Sequence, residues 1–70
     1  MEPIEFEEAT GLSGYKAARL LRVNPPTYYT WRRGERPVPA YIQASMNAHV
    51  EAMARGWVPE KPIKQKGENP

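Results

Sequence analysis

The chain contains no cysteine and no aspartate, and it has only one histidine and one phenylalanine. Without cysteine no disulfide can form, and a structural zinc site would find a single conventional ligand, His49. No nucleophile–base pair and no phosphate-cradling glycine loop is present, so neither an enzyme nor a cofactor or metal is expected. Long hydrophobic runs are missing too. No stretch reaches the roughly 18 apolar residues of a membrane span. The acidic start, MEPIEFEE, lacks the basic and apolar regions of a signal peptide, so a cytoplasmic protein is expected.

What remains is 70 residues, enough for one small domain. A chain this short buries only about 60% of its unfolded surface. Small scaffolds generally need a staple. With disulfide and metal excluded, the simplest staple is a second copy of the chain. The net charge of +2 hides an uneven distribution. Residues 1–10 carry Glu2, Glu5, Glu7 and Glu8 and no cation. Residues 11–40 carry Lys16, Arg19, Arg22, Arg32, Arg33 and Arg36 against Glu35 alone. A basic middle behind an acidic start suggests a surface for a polyanion, with the N-terminal glutamates forming a helix face or helping to orient the protein.

Helix signals follow one another along the chain. Pro3 suits a first turn, and a short helix over Ile4–Ala9 with Phe6 inward would end at Gly11. Ser13 is an N-cap for a second helix, about residues 14–21, with Leu12 as a hydrophobic staple. Ala17, Ala18 and Leu21 share one face of it. Asn24 then caps a third helix, about residues 25–33, which begins with Pro25 and Pro26 and stops at Gly34. Proline is tolerated there because the first N–H groups of a helix lack intrahelical partners. After a loop fixed by Pro37 and Pro39, a fourth helix covers about residues 40–55 and ends at Gly56. Its stripe of Ile42, Met46, His49, Val50, Met53 and on to Trp57 is assigned to core or dimer interface. Tyr41, Ala44, Ala48 and Ala52 form a second, weakly apolar side. The expected architecture is a small all-α domain of four to five helices over residues 1–58, followed by an extended or disordered tail over 59–70. Lys61, Lys64 and Lys66 of that tail are candidate phosphate contacts.

The third helix carries the functional signal. Tyr28 and Trp31, three apart, form a narrow stripe to bury. The opposite side holds Pro25, Pro26, Tyr29, Arg32 and Arg33, with Thr27 and Thr30 at its edges. Two short helices joined by a tight turn, the second basic and exposed, make a helix-turn-helix.

GLSGYKAARLLRVNPPTYYTWRRGERPVP resembles the helix-turn-helix of phage Cro and lambda-repressor-like regulators. Gly11-Leu12-Ser13, Ala18, Leu21, Val23, Thr27, Trp31, Gly34, Arg36 and Pro37 match the family pattern without a gap. The family usually has glutamine where this chain has Gly14, and glycine where it has Arg22. Arg22 in the left-handed conformation of that turn would cost about 1 kcal/mol. Pro25 and Pro26 stand where the family usually begins base reading. The resemblance implies a lambda-repressor-like fold and a sequence-specific transcriptional regulator, a Cro-type repressor. It would bind a double-stranded operator as a homodimer, each third helix in the major groove and half-sites about 34 Å apart. Expected base contacts are Pro26, Thr27, Tyr29, Thr30 and Arg33, with Tyr29 exposed; expected phosphate contacts are Ser13, Lys16, Arg32 and Arg36. Two rival expectations are an excisionase-like architectural protein, in which a β wing follows the motif, and a module that binds a host protein.

Overall fold

The computed structural model describes residues 1–58. Among them are four helices and no strand: α1 (Pro3–Thr10), α2 (Gly14–Leu20), α3 (Pro25–Arg32) and α4 (Ala40–Ala54). The expected tail, with Lys61, Lys64 and Lys66, lies outside the described residues. No helix of the described residues is long and apolar enough to cross a membrane.

Each helix is started and stopped by local chemistry. At the start of α1 the Glu5 carboxylate accepts a hydrogen bond from the Glu2 backbone N–H at 2.8 Å, an arrangement that also sets negative charge against the helix dipole. Buried Thr10 closes the helix. Its hydroxyl donates to the Phe6 carbonyl at 2.8 Å and accepts from the Leu12 N–H at 3.3 Å, tying α1 to the approach of α2. Ser13 caps α2 by accepting from the Lys16 N–H at 3.2 Å.

Asn24 occupies the N-cap position of α3, but its side chain makes no capping bond. The next two residues reduce what there is to cap. A capping side chain bonds the N–H of the second or third helical residue. Pro26 has none, and only the Thr27 N–H is left within reach. The prolines start this helix by removing the orphan donors rather than by satisfying them.

Phe6, Ala17, Ala18, Tyr28 and Met46 are fully buried, and Leu12, Leu21, Trp31, Val38 and Ile42 close the core around them. The small Ala17 and Ala18 let α2 and α3 approach. α1 packs on α2, α3 and α4, whereas α4 makes close backbone approach to α1 and to neither of the other two. The Met1 ammonium reinforces that seam by donating to Gln43 Oε1 at 3.2 Å.

The expected core-or-interface stripe of α4 divides. Ile42 and Met46 are core of the single chain and are not available to a partner. Val50, Met53, His49 and Trp57 are half-buried. The His49 ring sits edge-on to Phe6 at 6.4 Å between centroids and tilted against Trp57 at 5.4 Å. Its Nδ1 lies 2.7 Å from the Ser45 carbonyl oxygen, the geometry of an Nδ1–H donor. The buried Trp57 indole nitrogen has no hydrogen-bond partner among the described residues.

Candidate nucleic-acid interface

The connection between α2 and α3 is a four-residue turn, Leu21 to Asn24. The Val23 N–H donates to the Ala18 carbonyl and the Arg22 N–H to the Arg19 carbonyl, each at 3.0 Å. This pair of bonds is the Schellman termination, which requires a left-handed residue between helix and turn. Here that residue is Arg22, with φ 63°. The chain repeats the motif after α3 and after α4. Glu35 N–H donates to Thr30 O at 2.8 Å and Gly34 N–H to Trp31 O at 3.1 Å; Trp57 N–H donates to Ala52 O at 3.1 Å and Gly56 N–H to Met53 O at 3.0 Å. The left-handed residue in those two turns is glycine, with φ 80° and 108°.

Tyr28 and Trp31 face inward, as their spacing requires. The outer side of α3 presents Pro26 and Thr27 exposed and Thr30 half-buried. The Thr30 hydroxyl donates to the Thr27 carbonyl at 2.6 Å. Pro26, Thr27 and Thr30, three of the expected base contacts, line a shallow concavity of about 280 Å³ with Arg36, an expected phosphate contact from the following loop. Glu35 and Arg36 N–H both donate to the Thr30 carbonyl, which folds that loop back beside the helix. Ser13 and Lys16 are exposed at the start of α2.

Tyr29 does not stand free as expected. It is half-buried and packs against the core, with its ring edge-on to Tyr28 at 5.7 Å. The cause is Gly14. A Cβ at that position would lie 2.7 Å from the Tyr29 hydroxyl oxygen and 3.0 Å from Cζ. The absence of a side chain at Gly14 makes the seat in which the Tyr29 ring rests.

The two arginines that end α3 are both engaged. The Arg32 guanidinium grips Glu7 of α1 with two bonds, Nε to Oε2 at 2.8 Å and Nη2 to Oε1 at 3.0 Å. Glu7 Oε2 also accepts from the Tyr28 hydroxyl at 2.7 Å. Burial raises the Glu7 pKa, but hydrogen bonds from Arg32 and Tyr28 and the Arg32 charge outweigh it, leaving the carboxyl below its ordinary range. Burial first, and then the Glu7 carboxylate, push the Tyr28 phenol far above its ordinary value. The Arg32 guanidinium also lies 5.9 Å from the centre of the Tyr29 ring. Arg33 makes the same bidentate pair with Glu35, at 2.8 and 3.1 Å, but in open solvent. The Glu35 side chain is 55% exposed, against 11% for Glu7. The hydrogen bonds from Arg33 hold the Glu35 carboxyl below its ordinary range; desolvation opposes them, and the arginine's charge adds to the lowering.

Three features escaped the sequence reading: Glu7 as the holder of Arg32, Gly14 as the seat of Tyr29, and Arg22 as an exposed cation with no hydrogen-bond or ion-pair partner among the described residues. Only the last had a signal, Arg22 standing where the resemblance has a turn glycine.

Comparison with protein-family models, with curated proteins and with solved structures finds no match for this chain.

Proposed function

We propose that the chain is a sequence-specific double-stranded DNA-binding regulator of the Cro and lambda-repressor-like helix-turn-helix type, acting in a bacterial cell on phage or prophage DNA. The observation that carries this reading is the turn between α2 and α3. Arg22 adopts the left-handed conformation although it is not glycine, so the α2–turn–α3 geometry is held at a conformational cost. Around it, the inner stripe of α3 is buried, and its outer side offers hydroxyls, a proline and a concavity edged by Arg36.

In this mechanism α3 lies in the major groove. Thr27 and Thr30 reach base edges, and Pro26 meets thymine methyl groups. Arg33 exchanges Glu35 for a base edge or a phosphate, which an exposed ion pair permits at little cost. Ser13, Lys16 and Arg36 contact phosphates and set register. Arg32 contributes as a positioned charge, held by Glu7 and flanked by Tyr29. A homodimer would place two such helices on half-sites about 34 Å apart. With Ile42 and Met46 consumed by the core, its interface falls to the exposed Tyr41 and the half-buried Val50, Met53 and Trp57. Blocking of polymerase follows from the family resemblance. The excisionase-like reading is less favoured, because the segment after α3 is helix α4 where that arrangement has a β wing.

The test is selection of binding sites from a random duplex library, followed by fluorescence anisotropy on the selected and a shuffled duplex at two salt concentrations. Enrichment of a two-fold symmetric site, bound at least about tenfold more tightly than the shuffled one, is the expected result. Equal, weak binding that vanishes with salt would reduce the reading to charge attraction.

A further inference from the structure

We infer that Arg22 is a phosphate-binding residue of this interface, kept in a strained turn for its charge; this rests on the DNA-binding reading above. The chain supplies its own controls. The same two-bond helix termination occurs after α2, α3 and α4, and glycine fills the left-handed position in two of the three. Glycine adopts that conformation without the Cβ clash that every other residue meets. Nothing in the local structure repays the exception after α2. The Arg22 side chain is exposed and makes no hydrogen bond, ion pair or ring contact among the described residues. It differs in this from Arg19, which leans on the Tyr15 ring at 5.7 Å, from Arg32 and from Arg33. An unpartnered cation in an unfavourable backbone conformation needs a role outside the folded chain.

Its position suits a phosphate. Arg22 stands three residues before Pro25, at the approach to α3. The first turn of a helix ordinarily offers N–H groups to an anion. Pro25 and Pro26 remove two of those donors here, and an arginine three residues before Pro25 would restore the positive character with a longer reach and a bidentate fork. Such a contact adds affinity and salt dependence without adding sequence information.

The test compares Arg22→Gly, Arg22→Asn and Arg22→Lys with the wild-type chain in urea unfolding and in anisotropy on selected and shuffled duplexes. Arg55→Gln removes the same charge at the far end of α4 and serves as the control. Glycine and asparagine at position 22 are expected to raise the urea midpoint. They should weaken binding to both duplexes alike, by about three- to tenfold, and flatten the salt dependence by about 0.9 in slope. Arg22→Lys should keep most of the affinity and none of the gain in midpoint. Unchanged affinity and slope for Arg22→Gly, or an equal loss in Arg55→Gln, would overturn the inference while leaving DNA binding intact. No binding by the wild-type chain to any duplex would sink the DNA reading and this inference together.

Discussion

Arg32 and Arg33 are neighbours in sequence with the same side chain and the same kind of partner, yet they belong to two different regions of the molecule. Arg32 lies on the side of α3 that faces α1. Its carboxylate is sheltered and shared with the Tyr28 hydroxyl. Arg33 lies on the open side, paired with a carboxylate two residues along the same chain. An exposed pair is screened and contributes little to stability. A sheltered one with a third member cannot lose a partner cheaply, because what remains is a buried group without a bond. The inner side of α3 is built to persist, and the outer side is built to exchange.

Variants can sharpen that contrast, and any of them can break it. The largest effect is expected inside. Tyr28→Ala empties the centre of the core and should lower unfolding free energy by about 3–5 kcal/mol, while Thr27→Ala, one residue away and exposed, should stay within about 0.5 kcal/mol. Comparable losses in urea titration would erase the distinction between the two sides.

Next comes the seat of Tyr29. Alanine is a better helix former than glycine, so Gly14→Ala would ordinarily stabilise α2 by about 0.5–1 kcal/mol. The contact with the Tyr29 ring should reverse the sign, to a loss of about 1–2 kcal/mol from overpacking. Combined with Tyr29→Ala, the same change should become favourable again. A double-mutant cycle with no coupling would mean that the ring simply swings aside.

Glu7→Gln should cost about 1 kcal/mol at neutral pH, since charge-assisted bonds to a partly sheltered group are only partly screened. The pH dependence has a definite sign. The folded carboxyl titrates below its ordinary value of 4.5, so its contribution is complete above that value and fades as pH falls through the folded one. The wild-type and Glu7→Gln curves should therefore converge in acid. At the alkaline end Tyr28 is held neutral above its ordinary value of 10.0, and stability should decline as pH rises beyond it. Divergence in acid would assign the role to another group.

Smallest of all is Glu35→Gln. Its urea midpoint should match that of the wild-type chain, while binding to a selected duplex tightens modestly. In the Arg33→Ala background that tightening should shrink. A full effect without Arg33 would reduce Glu35 to a remote repulsive charge.

Helix placement was legible because its signals are local. Ser13, the proline pair and the terminating glycines mark ends within a few residues, and the spacing of Tyr28 and Trp31 declares the inner face. The left-handed turn at residue 22 was an expectation of the family resemblance, which has glycine there. The Glu7–Arg32 pair was not, because it joins residues 25 apart in sequence through the way α1 lies across α3, and no periodicity encodes that crossing. Gly14 misled in a related way. In sequence it is a side chain missing from a familiar position; in space it is volume that Tyr29 occupies. The division of the α4 stripe into core and remainder also depends on how far α1 covers it.

That cover has a consequence for how the chain comes into being. α1 precedes α4 by some thirty residues (Thr10 to Ala40), yet it is the helix against which α4 rests, and among the described residues α4 lies close to no other helix. Among the described helices, α1 thus acquires its last partner only when α4 has been synthesised. A nascent chain halted in the loop before residue 40 would carry Phe6 with part of its cover absent and Met1 without Gln43. The core of residues 1–58 therefore cannot close until α4 is available, and the acidic α1 stays incompletely covered until then.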